Sequence, residues 1–393
     1  MSNDSKLDFS ALSRGCVDLI EERELLTRIG EGKPLRVKFG MDPSSPDLHA
    51  GHAIPLLKLK DLQDLGHQVV LIVGDSTAMV GDPSGKNQLR PQLTREAVEA
   101  NLETYTKQAG KILDLDRTEV RRNSEWFDEM DFQGVLRLCA RMTVARMIER
   151  DTFQKRIKES EPVGIHEFLY PLMQGWDSVQ VKADVEIGGT DQLFNLLVGR
   201  QLQEQEGQRP QICVTTPLIN GTDGRKMSKS YGNAVLFEDD PSDVFGKCMS
   251  VEDEVMEVWY SQLTRISDEE VGAILSGHPR DAKARLAKEV VTLLHNEEEA
   301  ARVAEAFDRQ FRGKELPDDI PEVSWPGEGG LPLANLLREL GLASSGGEAR
   351  RLVAQGGVRL DGEVVTEAMQ VVEPPSDELL IQVGKRRFAR VRG

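Results

Sequence analysis

The chain carries only four cysteines, Cys16, Cys139, Cys213 and Cys248, and no two of them stand in Cys-x-x-Cys spacing. That scatter argues against a structural zinc and for a reducing compartment. Histidine is scarce as well, six in 393 residues, so no transition-metal site built by the protein is expected. No apolar run approaches the roughly 18 residues of a membrane span, and no membrane partner is expected. The opening Met1-Ser2-Asn3-Asp4-Ser5-Lys6 lacks the basic and apolar regions of a secretory signal, so a cytoplasmic location is expected. Repeats and low-complexity tracts are absent too. What remains is ordinary soluble composition, 39% hydrophobic and 29% charged, in a chain long enough for two or three domains.

The net charge of −17 argues against a nucleic-acid partner, but it is unevenly spread. Residues 331–393 carry +1 and the remainder −18. The final stretch holds Lys385, Arg386, Arg387, Arg390 and Arg392 and no acid. It reads either as a local footprint for RNA or as a solvated terminus.

The chain is organised around Val37 to His52. Residues 35–41 read as a buried strand that breaks into a Pro/Ser loop, and a helix begins near His49 and runs through Leu56, Leu57, Leu59, Leu62 and Leu65 to Gly66. His49 and His52 share the first turn and face the same way. A helix start carries unpaired N–H groups and the positive end of the macrodipole, so it attracts phosphate. Gly51 leaves room for a flat group against the backbone. Alone, the pattern is modest evidence, and a capping accident or half a metal site stay open as alternatives.

Residues 68–75 form a continuously apolar run, as in a strand buried on both faces. Strand, helix, strand implies an α/β, Rossmann-like doubly wound fold, whose ligands bind at the carboxyl ends of the strands. Asp42, His49 and Asp75 lie there. Met79 to Lys86 only superficially resembles a phosphate loop, because Val80 stands where the first glycine belongs and Asn87 follows the lysine. Residues 8–30, 94–113 and 133–150 read as helical, and 151–162 as a charged surface excursion. Residues 165–177 read as one helix in which Tyr170, Gln174 and Asp177 put a phenol, an amide and a carboxylate on one face. A surface stripe is the alternative. A strand over 183–187 ends in Gly188-Gly189-Thr190-Asp191-Gln192, where glycines permit backbone approach to a ligand, and a helix over 193–203 follows. Downstream, Lys226-Met227-Ser228-Lys229-Ser230 lies in a polar, glycine-flanked loop. It suits a departing pyrophosphate, or is a solvated basic turn.

Residues 241–317 read as a helical packing domain, 318–330 as a Pro/Gly-rich linker, and 331–393 as a small α+β module. In that module residues 333–342 form one helix and 347–355 another, and Asp361-Gly362 marks a hairpin.

Taken together, the histidine turn and the Lys226–Ser230 loop resemble the two signature motifs of class I aminoacyl-tRNA synthetases. Over nearly its whole length the chain resembles bacterial tyrosyl-tRNA synthetases, in the variant with Lys-Met-Ser-Lys-Ser rather than Lys-Phe-Gly-Lys-Thr. The terminal module resembles an S-four-like RNA-binding domain, in which Ser344, Glu348, Arg350, Arg351, Lys385, Arg386 and Arg387 would face RNA. The resemblance implies a catalytic domain over 1–240 that activates L-tyrosine with ATP and charges tRNA(Tyr), with Mg²⁺ accompanying ATP, in a homodimer. It implies that His49, His52, Lys226 and Lys229 are catalytic and that Gly40, Asp42, Gly51, Gly189, Asp191, Ser228 and Ser230 bind ATP or the adenylate. Asp82, Tyr170 and Gln174 would hold the substrate ammonium, and Asp177, with Gln192 nearby, the phenol. Many relatives have tyrosine where this chain has Lys38, and the sequence offers no reason for the lysine. Tryptophanyl synthetases share the histidine helix and the Gly-Gly-x-Asp-Gln element. A small-molecule adenylyltransferase and a non-catalytic, synthetase-derived RNA-binding protein are the remaining rivals.

Overall fold

The apolar run Gln68–Val73 forms a strand with every residue after Gln68 buried, because both faces of its sheet are covered. In the computed structural model, residues 9–43, 45–84, 94–312, 320–327, 329–384 and 387–393 are described. They belong to two units, Met1–Ala304 and Glu305–Gly393.

In the first unit β1 (Asp18–Ile20), β2 (Arg36–Met41), β3 (Gln68–Val73), β4 (Glu119–Arg122), β5 (Val185–Gly189) and β6 (Ile212–Thr216) make one sheet in the order β1-β6-β5-β2-β3-β4. All neighbours run parallel except β1 against β6. The chain builds outward from β2 through β3 to β4, then returns to lay β5 on the other side of β2. That reversal opens a crevice at the carboxyl ends of β2 and β5, where Gly40 and Gly189 emerge. The helix Ala50–Asp64 joins β2 to β3 and buries Leu56, Leu59 and Leu62 completely.

Four sequence expectations change in this unit. Residues 8–30 are not continuously helical: Gly15 takes φ +64°, and Asp18–Ile20 becomes the edge strand β1. Residues 133–150 are two helices, Phe132–Cys139 and Val144–Ile148, the second capped by Thr143. The excursion at 151–162 is mostly the helix Asp151–Lys158, which buries Phe153 and Arg156, the latter paired with Glu167. Residues 165–177 start as a 3-10 turn, Ile165–Phe168, before the helix Leu169–Val181. That helix packs on Leu193–Gln205 through facing glycines. A Cβ on Gly175 would stand 3.0 Å from the Gly199 nitrogen and 3.0 Å from Leu202 Cδ1.

The stretch from 241 consists of the helices Pro241–Met249, Met256–Leu263, Asp268–Leu275, Pro279–Leu294 and Glu297–Arg312. Trp259, fully buried, donates through Nε1 to the Asn220 carbonyl at 3.0 Å and so ties this stretch to the loop after β6.

In the second unit β7 (Glu322–Ser324), β9 (Val358–Leu360), β10 (Glu363–Val364), β12 (Glu378–Val383) and β13 (Arg387–Arg392) form a sheet in the order β10-β9-β12-β13-β7. β8 (Leu331–Pro332) pairs β11 (Val371–Val372). Two helices, Leu333–Glu339 and Gly346–Ala354, bury Leu333, Leu336, Leu337 and Val353 against it. Asp361 and Gly362, at φ +45° and +87°, make the expected tight turn. The stretch 318–330, expected as a linker, contains β7, which runs parallel to β13. Its Trp325 joins the module's core and donates through Nε1 to Gly329 O at 3.0 Å. The proline and glycine content that marked a linker instead shapes the turns around one short strand.

Gly175→Ala should lower stability by about 1–3 kcal/mol through overpacking. Gly272→Ala, in a helix with nothing within 4 Å of the added Cβ, should instead stabilise by about 0.5–1 kcal/mol. Thermal unfolding of the two variants checks the pair, and equal shifts would contradict the packing.

Candidate active site

A cleft of about 350 Å³ occupies the crevice at the β2–β5 reversal. Gly40, near the end of β2, and Asp42, just after it, border the cleft, with His49, Gly51 and His52 at the helix start. Tyr170, Gln174 and Asp177 form one wall, with Gly189 at the end of β5 and Asp191 and Gln192 just beyond it. Asp82 and Lys226 complete the set.

The histidines cap their own helix. His49 is the extended N-cap residue, its Nδ1 accepting from Gly51 N at 3.2 Å, and His52 Nδ1 accepts from His49 N at 3.1 Å. The rings lie 4.0 Å apart. An imidazole that accepts at Nδ1 while neutral carries its proton at Nε2. Burial, then the neighbouring charges, pushes His49 down to about 2, and burial with Lys229 pushes His52 down to about 4. Both are therefore neutral Nε2–H donors at physiological pH. The capping reading and the anion-donor reading are compatible: the cap fixes the tautomer that donates. A Gly51 Cβ would meet His49 Cε1 at 2.9 Å, so the cap alone requires glycine there.

Asp42 accepts from Thr77 Oγ1 and from the Tyr170 hydroxyl, each at 2.8 Å. Gly74 has no alternative, since its Cβ would stand 2.0 Å from Asp42 Oδ1. Asp82 accepts from Ser84 N at 2.8 Å and Gln192 Nε2 at 2.9 Å, and faces Arg150 Nη2 at 3.4 Å. Asp177 lies at the base of the helix face, accepting from Trp126 Nε1 at 3.0 Å and Asn123 Nδ2 at 3.4 Å. Those donors favour its charged form, but burial outweighs them and raises its pKa to about 7. Burial also raises Asp191.

The signature loop is pinned by a residue that the sequence did not single out. Asn233, 2% exposed, accepts from Ser228 N at 2.8 Å through Oδ1. Its Nδ2 donates to Asp223 Oδ1 at 2.7 Å and Lys226 O at 3.2 Å, and its carbonyl accepts from Thr222 N. Lys226 pairs with Asn220 across the hairpin and reaches the cleft. Lys229 points elsewhere, to Ser45 Oγ at 2.9 Å and Asp47 Oδ2 at 3.5 Å. Ser228 does not line the cleft, and the Ser230 side chain lies outside what is described.

Arg150 and Asn195, both buried, were likewise missed. Arg150 is the extended residue that precedes the helix Asp151–Lys158, and Asn195 lies in the helix Leu193–Gln205; their local sequence reads as ordinary, and only the fold turns them toward Asp82 and Gln192. In the second unit, Ser344 donates to Glu348 Oε2, and Arg387 Nη1 meets Glu348 Oε1 at 3.3 Å. Arg350 and Arg351 stand exposed on the adjoining helix. Lys385 and Arg386 fall outside the described residues.

The family described as tRNA synthetases class I (W and Y) matches residues 31–312, and the S4 domain matches 331–379. The tyrosine--tRNA ligase of Thermotoga maritima is 52% identical, over 97% of this chain and 96% of that protein. The tyrosine--tRNA ligase of Aquifex aeolicus is 49% identical, over 97% of each. A C-terminally truncated mitochondrial tyrosyl-tRNA synthetase from Aspergillus nidulans superposes with a TM-score of 0.65 at 25% identity, covering 77% of this chain and 94% of that one. The Archaeoglobus fulgidus enzyme, complexed with L-tyrosine, gives 0.62 at 23% identity, over 76% and 99%, and speaks for the fold alone. With both of its units matched and its length spanned by these relatives, the chain belongs to the class I tRNA synthetases of the W and Y family.

Proposed function

We propose that the chain is a tyrosine--tRNA ligase, which activates L-tyrosine with ATP to tyrosyl-adenylate and pyrophosphate and then transfers tyrosine to the 3′ end of tRNA(Tyr). One observation carries the reading: the histidine turn, Lys226 of the signature loop and the Tyr170–Gln174–Asp177 face line a single cleft.

In the first step a tyrosine carboxylate oxygen attacks the α-phosphorus, and the bond to the bridging oxygen of pyrophosphate breaks. No covalent enzyme intermediate is needed, so catalysis is positioning and charge stabilisation. His49 and His52 donate to phosphate oxygens without adding charge. Lys226 and Lys229, with Ser228 and Ser230, receive the pyrophosphate, which requires Lys229 to leave Ser45 and Asp47. Gly40, Asp42, Gly51, Gly189 and Asp191 border the adenylate. Mg²⁺ would accompany ATP, held mainly by phosphates and water, and would supply charge that offsets the phosphates. Asp82, Tyr170 and Gln174 hold the ammonium, and Asp177 accepts the phenolic O–H with Gln192 nearby. Phenylalanine would strand a buried carboxylate, a discrimination for which tyrosyl-tRNA synthetases are the standard illustration.

Ser344, Arg350, Arg351, Lys385, Arg386 and Arg387 offer tRNA a basic contact. Exposed Phe132 and Leu136, one helical turn apart, and Val144 on the next helix support a homodimer, which a monomeric mass in sedimentation equilibrium would overturn. Four free thiols suit the cytoplasm, where ATP and tRNA are available.

Amino-acid-dependent exchange of pyrophosphate into ATP tests the reaction. Tyrosine alone among the twenty amino acids should support it. Tryptophan support would overturn the pocket reading, and silence with all twenty would overturn the ligase. In that assay His52→Ala should slow exchange by roughly 10²–10³, the usual loss of one transition-state donor, with tyrosine affinity retained. Equal losses in rate and affinity would remove His52 from that role. Asp177, raised to about 7 by burial, is a carboxylate only above that pH. The KM for tyrosine should therefore climb as pH falls through 7, by up to about tenfold per unit, and should stay flat across this range in Asp177→Asn.

A further inference from the structure

Lys38 is fully buried on β2 and does not line the cleft. Its cross-strand partner in the β2–β5 register is Glu186, itself 1% exposed. Lys38 Nζ donates to Glu186 Oε1 at 2.9 Å, Ser178 Oγ at 2.7 Å and the Gln174 carbonyl at 2.8 Å, which satisfies all three of its protons. Glu186 Oε1 also accepts from Gln174 Nε2 at 3.1 Å, and Oε2 accepts from Ser178 Oγ at 3.1 Å and from Gln211. A buried ion pair is a poor source of stability compared with apolar packing. Its geometry has a different consequence here.

The two ends of a glutamine amide have nearly the same shape, and only their partners decide which way it points. A carboxylate can only accept, so Glu186 obliges Gln174 to turn its NH₂ inward. The Gln174 oxygen is left on the other side, where Asn195 Nδ2 reaches it at 2.8 Å. Asn195 Nδ2 also meets Gln192 Oε1 at 2.9 Å, and Gln192 Nε2 meets Asp82 Oδ2 at 2.9 Å. One chain of hydrogen bonds thus runs from Lys38 to the carboxylate at the far side of the cleft.

We propose that the Lys38–Glu186 pair is a positioning device for amino-acid recognition, which fixes the Gln174 amide with its oxygen toward the substrate ammonium and keeps Asp82 in register with it. The inference rests on the ligase reading above and on Gln174 meeting the ammonium. It gives Lys38 a purpose from behind the cleft rather than in contact with the phenol.

The test uses the full chain with Glu186→Gln, which lets either amide end face Gln174. The double variant Lys38→Met with Glu186→Gln removes both charges at similar volume, in case the lone buried lysine prevents folding. Binding of L-tyrosine is compared with that of 3-(4-hydroxyphenyl)propionate, which lacks the amine. Loss of one hydrogen bond to a charged group should cut the preference for the amine roughly tenfold. The KM for tyrosine should rise by the same factor, while the KM for ATP and the rejection of phenylalanine hold. Unchanged amine preference in a folded variant, or equal loss for both ligands, would overturn the proposal. Failure of wild-type protein to bind tyrosine would overturn the ligase reading instead.

Discussion

A sheet covered on both faces cannot leave polar groups without partners, yet a cleft cut into it has to be polar to bind an amino acid and a nucleotide. That constraint governs the whole first unit. Each unpaired buried donor or acceptor costs of the order of 1–3 kcal/mol, so groups facing the cleft are backed by a further layer. Asp42 is held by Thr77 and Tyr170, Asp177 by Trp126 and Asn123, and Gln174 by Asn195 and Glu186. The first layer is therefore preorganised before a ligand arrives, as low-reorganisation catalysis needs.

Charge in the cleft is divided between residue types. Histidine, the side chain most ready to ionise, is kept neutral by burial and nearby lysines. Cationic charge is left to the loop, where Lys226 lines the cleft and Lys229 is held on Ser45 and Asp47. In the proposed reaction the scaffold would supply directional donors held by their own helix cap, and the loop would supply charge that approaches and withdraws with the leaving group.

What the sequence made legible follows from range. The histidine turn, the face at i, i+4 and i+7 from Tyr170 to Asp177, and the glycine-rich end of β5 are each written in consecutive residues, and each lines the cleft. Arg150, Asn195 and Asn233 act through partners tens of residues away or through a loop's tertiary path, and nothing in their neighbourhoods marks them. Lys38 was opaque for the same reason. Its counter-ion Glu186 lies 148 positions along the chain and becomes a neighbour only when β5 is laid beside β2. The edge strand β1 was hidden inside an apparent helical pattern because three residues are too few to establish a period.

The parallel pairing of β7 with β13 bears on how such proteins are assembled from parts. A gene fusion that joined the RNA-binding module at the first residue of its recognisable family segment, 331, would leave behind an edge strand and the core residue Trp325. The exposed edge of β13 would then be open to pairing with another chain. The unit that folds is thus longer than the segment by which the family is recognised, and a boundary placed upstream of Ile320 keeps its strand and its tryptophan.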